Sequence, residues 1–167
     1  MKTIVISILG PDRAGIVDDI SQSLMAHHGN WLGSSMSLMA GHFAGIVEAN
    51  VPEAELASLQ QALGQLANLT VHVADGCAEP SSTTTSLEFV VTANDRPGIV
   101  QQVSACLAQL NVNVLLLETE CQPAAHFGGN LFQARIVAAL PEGVDESSVW
   151  DALESLSDDL MLDKDRP

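Results

Sequence analysis

The sequence predicts an α+β protein made of two βαββαβ units in tandem. The first observation is a long self-match: Asp12-Arg13-Ala14-Gly15-Ile16-Val17 returns as Asp95-Arg96-Pro97-Gly98-Ile99-Val100, 83 positions later. Extending it from Gly10–Leu24 onto Ala93–Leu107 keeps seven of fifteen positions identical, and Asn30 falls on Asn113 at the same spacing. A self-match of this length means one structural unit written twice, so a site in one copy has a counterpart in the other. The second observation is that strand-like alternation followed by helical spacing occurs in both halves. The third is a stretch rich in Pro, Ser and Thr, Cys77–Ser86, which reads as a linker. The expected organisation is therefore domain one over residues 1–76, a linker over 77–86 and domain two over 87–167.

Each element follows from its pattern. Thr3–Leu9 alternates, with Ile4, Ile6 and Ile8 on one side, and Leu87, Phe89 and Val91 repeat this, so each unit opens with a strand that has one face in a core. Loops Gly10-Pro11-Asp12 and Ala93-Asn94-Asp95 follow. Ile16, Val17, Ile20 and Leu24 then recur at helical spacing, as do Ile99, Val100, Val103 and Leu107. Asp12 and Asp95 are placed to cap these helices, and Pro97 suits a first turn. Asn30–Met39 and Phe43–Val51 predict a hairpin turning near Ala40-Gly41-His42. Its counterpart runs over Asn113–Glu120 and Leu131–Leu140, joined by the longer Gln122–Asn130. Pro52 and Pro141 close these hairpins. Leu56, Leu59, Leu63 and Leu66 form a second amphipathic pattern, matched by Val149, Leu153 and Leu156. Last strands are expected at Thr70–Val73 and Leu160–Leu162.

Composition narrows the function. Six Lys and Arg stand against 21 acids, for a net charge of −15. Nucleic-acid binding needs clustered cations to displace counterions from phosphates, and here they are scattered, so direct DNA or RNA binding is not expected. The acidic surface keeps the protein soluble or meets a basic partner. No apolar run approaches the roughly 20 residues that cross a bilayer. The N-terminus leads into a strand without a cleavage signal. Cys77, Cys106 and Cys121 are odd in number and lack CxxC spacing, which suits a reducing compartment, and neither a disulfide framework nor a zinc site follows from them. A cytoplasmic location is the resulting expectation, with Cys106 as a small core residue.

Signatures of catalysis are absent. No GxSxG, P-loop or HExxH occurs, and Gly10–Gly15 is neither a dinucleotide fingerprint nor a Walker loop. His27 and His28 are adjacent and point to different faces of a helix, so they do not clamp one metal. His42-Phe43 matches His126-Phe127 at a spacing of 84, which shared turn ancestry explains as well as a site does. No catalytic residue, metal or cofactor is assigned.

The repeated strand–loop–helix junction is the candidate site. A glycine in the first helical turn, Gly15 or Gly98, lets a ligand carboxylate approach the free N–H groups at the positive helix end. Asn30 and Asn113 follow that helix, and an amide complements an amino acid's ammonium and carboxylate. Equally, the glycines could serve close helix–sheet packing and the asparagines could stabilise turns. The residues alone do not decide.

The DRxGIV segment after a first strand, the downstream Asn and the tandem βαββαβ units resemble ACT domains. That family implies ferredoxin-like regulatory modules with antiparallel sheets, helices on one face, and amino acids bound at interfaces between paired domains. A tandem pair without catalytic or DNA-binding domain is most similar to the glycine cleavage system transcriptional repressor family. By resemblance, the ligand is a small amino acid such as glycine, and the partner is a protein such as a DNA-binding transcription factor. The ligand loop carries over onto Pro11, Asp12, Gly15 and Asn30, then Asn94, Asp95, Gly98 and Asn113. Ala14 departs from the usual Pro. Paired units of this family often join sheets edge to edge, which would bring these loops to an interface, and a homodimer fits the pattern. The long Gln122–Asn130 hairpin is a candidate partner-binding element. The rival within the resemblance is a detached regulatory subunit of a metabolic enzyme.

Overall fold

The computed structural model describes residues 1–77, 85–123 and 129–164. The chain divides into two units, Met1–Pro80 and Ser81–Pro167. In the first, β1 (Lys2–Pro11) leads to α1 (Ile16–Ala26), then β2 (Asn30–Met39) and β3 (His42–Val51). A 3₁₀ turn, Glu53–Glu55, enters α2 (Leu56–Gly64), and β4 (Thr70–Asp75) closes the sheet in the order β2-β3-β1-β4. The second unit repeats this: β5 (Thr85–Asn94), α3 (Ile99–Gln109), β6 (Asn113–Pro123), β7 (Asn130–Leu140), α4 (Glu146–Glu154) and β8 (Met161–Asp163), ordered β6-β7-β5-β8. All the strand pairings are antiparallel.

The predicted alternation is what builds the cores. Ile4, Ile6 and Ile8 are buried against Ile16, Ile20 and Leu24 of α1 and Leu59 and Leu63 of α2. Leu87, Phe89 and Val91 are buried with Ile99, Val103 and Leu107 of α3 and Val149 and Leu153 of α4. Cys106 is buried in that second core. Period-2 and period-3.6 patterns thus turn one apolar face of the sheet toward one stripe on each helix. The result is the expected α+β fold, two ferredoxin-like units.

The boundaries differ in instructive places. Gly10, Pro11, Ala93 and Asn94 are the last residues of β1 and β5 rather than loop, because β3 and β7 continue to pair with them (Pro11↔His42, Asn94↔Leu131). Leu66 and Leu156 lie past the ends of α2 and α4. Thr85 and Ser86, expected in the linker, already belong to β5, and residues 78–84 of that stretch lie outside the described residues. His126 and Phe127 also lie outside them. The register nevertheless replaces the 84-residue match: Gly10 pairs with Phe43 and its counterpart Ala93 pairs with Phe132. The two phenylalanines are therefore 89 positions apart, because the second hairpin is longer.

Candidate functional site

The expected aspartate caps do not form. Neither Asp12 nor Asp95 caps its helix; the cap positions are Gly15 and Gly98, at φ +90° and +96° with no side-chain bond. Both lie one position before the helix rather than inside its first turn. The carbonyls of Gly15 and Gly98 accept from Asp19 and Gln102 N–H at 2.9 Å, which starts each helix. A left-handed cap explains why glycine stands there, since a Cβ in that conformation crowds the following carbonyl. Close packing does not explain it. A Cβ on Gly98 would meet nothing within 4 Å, and one on Gly15 would meet only the Arg13 guanidinium at 3.8 Å. Among the described residues no side-chain bond caps either helix, and uncapped first-turn amides are available to solvent or a ligand.

Each loop is tied to the hairpin turn beside it. Asp12 N–H donates to the Gly41 carbonyl at 3.0 Å, and Asp95 N–H donates to the Asn130 carbonyl at 2.9 Å. Nothing in the sequence at Asp12 marks this backbone bond, although Gly41 in the predicted turn was its visible half. The loop arginines, read from sequence only as matching positions, have different partners. Arg13 reaches Asp19 on its own helix at 2.5 Å. Arg96 donates to Gln102 at 3.0 Å and approaches Asp159, in the turn before β8, at 3.6 Å.

Pro11, Asp12 and Gly15 thus share one exposed corner of the first unit, and Asn94, Asp95 and Gly98 the same corner of the second. The asparagines do not join them. Asn30 opens β2 opposite Asn50, whereas Pro11 pairs with His42, eight residues along β3. At about 3.3 Å per residue that is roughly 26 Å. Asn113, opposite Ala139, is equally far from Asn94, opposite Leu131. Both asparagines are the first residues of their strands, β2 and β6.

Carboxylates held below their usual range occur in the second unit: Asp145 by the Ser148 hydroxyl and amide at the α4 cap, Glu146 by Lys164 and then Trp150, Asp159 by Ser157 and then Arg96. A lowered folded-state pKa adds stability that is present above the ordinary carboxylate range and lost as pH falls from that range through the lowered value. The second unit is accordingly expected to lose urea resistance progressively as pH falls below about 5. Trp150 fluorescence in a Trp31→Phe background reads this, and a pH-independent midpoint would show that these contacts contribute nothing.

The model of the ACT domain matches residues 2–73, from β1 into β4. The second unit repeats both its loop motif and its strand order. The chain is a tandem ACT-domain protein. ACT domains are regulatory modules that bind amino acids. Curated protein sequences give no match to this chain. Among solved structures, an unknown protein from Galdieria sulphuraria is 30% identical, with a TM-score of 0.81 over 97% of this chain and 96% of that one. A protein assigned as a glycine cleavage system transcriptional repressor is 17% identical, with a TM-score of 0.70 over 97% and 95%. At that identity the likeness is one of fold. Among the described residues, no helix is long and apolar enough to cross a membrane.

Proposed function

We propose that this tandem ACT protein is an amino-acid-responsive regulator of transcription in glycine or one-carbon metabolism, which acts through a protein partner and not by binding DNA. The carrying observation is the pair of glycine-capped helix ends, each anchored to its hairpin turn and each open at the N-terminus. Such an end receives a carboxylate through free amides and the helix dipole. The fold shared with the repressor supports the transcriptional reading. Charge supports the indirect route: Lys2, Arg13, Arg96, Arg135 and Lys164 are each paired with a carboxylate, which leaves no cluster among the described residues to grip phosphates.

In this reading Pro11, Asp12 and Gly15, or Asn94, Asp95 and Gly98, form the carboxylate half of a site. Asn30 and Asn113 stand too far along their own sheets to complete it within one unit. Ligand then favours one of two states of the protein, and changes partner affinity by the difference in its affinity for the two.

A thermal-shift screen of the twenty amino acids at millimolar concentration tests the proposal. A ligand at one hundred times its Kd adds about 2.7 kcal/mol. Selective stabilisation by glycine or serine is expected. Gly15→Asn and Gly98→Asn tolerate positive φ while filling the helix mouth, and should weaken that ligand about tenfold or more. Unchanged affinity in both variants would remove the site assignment. Capture of a metabolic enzyme instead of a transcription factor, in the ligand's presence, would replace the transcriptional reading.

A further inference from the structure

The last strand of each unit is fastened differently. β4 pairs with β1 over six residues, from Ile4↔Asp75 to Leu9↔Thr70. β8 pairs with β5 over three, Val90↔Asp163, Val91↔Leu162 and Thr92↔Met161. Three rungs at a sheet edge leave a strand marginal by itself, because ordering each residue costs backbone entropy that so few contacts barely offset. β8 has a support at each end. After it, Lys164 pairs with Glu146 of α4, whose carboxylate also accepts from the Trp150 indole N–H at 3.0 Å. Before it, Leu160 is buried in the second core, and Asp159, held by the Ser157 hydroxyl, faces Arg96 at 3.6 Å.

Arg96 ties that second support to the candidate ligand loop. It lies between β5 and α3, just ahead of the Gly98 cap. Its guanidinium donates to the Gln102 side chain, near the start of α3, at 3.0 Å through Nη2 and meets Asp159 through Nε. One side chain therefore touches both the helix end and the turn that leads into β8. The first unit lacks this link. Arg13 is bound at 2.5 Å to Asp19, the residue that stands where the second unit has Gln102. The turn before β4, Gln65–Leu69, carries no carboxylate for an arginine to reach.

We propose that β8 is a latch governed by the second loop. Arg96 fastens it through Asp159 while the loop is empty, and a ligand carboxylate at the α3 N-terminus draws the guanidinium away and loosens it. This rests on the reading of Asn94, Asp95 and Gly98 as the carboxylate half of a site. A guanidinium forks onto carboxylates, so Asp159 and the ligand compete for one cation. At 3.6 Å, with both side chains about a third exposed, the Asp159 pair is the weaker claim. Loosening bares the β5 edge, a row of unpaired N–H and C=O groups. Occupancy of the loop thereby becomes a change of surface, and latched and loosened β8 are the two states between which the ligand discriminates.

Hydrogen exchange over Leu160–Lys164 of the full chain, with and without millimolar glycine or serine, tests the latch. Arg96→Gln should speed exchange there about threefold, the scale of a surface ion pair, and leave Thr70–Asp75 unchanged. Asp159→Asn should do the same, and the double variant should add nothing to either single one, because both remove one contact. Glycine or serine should speed exchange of β8 in the wild type and not in Arg96→Gln. By linkage, Asp159→Asn should bind the same amino acid about threefold more tightly, which loss of a merely structural contact would not produce. Unchanged exchange in Arg96→Gln, additive effects in the double variant, or a bound amino acid that leaves β8 unmoved each overturn the latch. Failure of both amino acids to bind removes the proposed ligand site and with it the ligand's hold on β8, whereas the Arg96–Asp159 coupling stands or falls on the variants.

Discussion

Phe89→Ala should lower the stability of the second ACT unit by about 4 kcal/mol, in the range for truncating a buried aromatic ring. Phe89 is 0% exposed, and its ring lies 5.8 Å from that of Trp150, tilted at 59°. Truncation removes the transfer energy of the ring, the tilted ring contact and the dispersion contacts of residues that cannot collapse into the space. The position also joins layers, because Phe89 is on β5, the strand flanked by β7 and β8, and Trp150 is on α4. A loss near 4 kcal/mol is most of the stability of a marginal domain. Chemical denaturation followed through Trp150 in a Trp31→Phe background should show the second unit unfolding at much lower urea. In the complementary Trp150→Phe background, Trp31 should report an unmoved first transition. If Trp31 follows the second unit down, the two units fold as one cooperative body and the independent-unit reading fails.

What the sequence could reveal depended on whether the signal was local and periodic. Ile4, Ile6 and Ile8 declared a buried strand face because side chains on a strand alternate, and no tertiary knowledge was needed. Ile16, Ile20 and Leu24 declared a helix for the same reason. The cap was misread because aspartate before a helix is a general preference, whereas the deciding fact was the backbone angle at Gly15 and Gly98. The double occurrence of that glycine pointed to a special position, but not to whether conformation, packing or a ligand required it. Empty space around a Cβ on Gly98 is what sets packing aside. The separation of Asn30 from Pro11 was hidden for another reason. Proximity of two strand ends follows from register, and the register of β1, β2 and β3 is fixed by pairing between residues far apart in sequence.

Repeat logic alone would call Gly10→Ala harmless, since the counterpart of Gly10 in the second unit is Ala93, buried at 1% exposure. The structure gives the opposite expectation, a loss of about 3 kcal/mol in the first unit, at the upper end for overpacking a filled site. A Cβ on Gly10 would come to 2.3 Å from the Asn68 carbonyl oxygen and 2.7 Å from the Leu69 side chain. The nearer atom is backbone, so no rotamer change relieves it. Asn68 is itself held at φ +61° in the turn between α2 and β4, and Leu69 packs on the core, so the turn cannot retreat without disturbing both. The second unit carries buried alanine at the equivalent position, and its turn before β8, Ser157-Asp158-Asp159-Leu160, has a different sequence. Ala93→Gly should accordingly cost only about 1 kcal/mol, from a lost methyl and a freer unfolded chain. The contrast matters for function because Gly10 immediately precedes Pro11 and Asp12, so strain at the turn passes into the proposed ligand loop. Urea midpoints through Trp31 for Gly10→Ala and through Trp150 for Ala93→Gly measure both. Equal small effects would show that the α2–β4 turn yields, and that the first loop is not braced from behind. A large effect confined to Gly10→Ala would identify that turn as a rigid brace behind the loop that leads into α1.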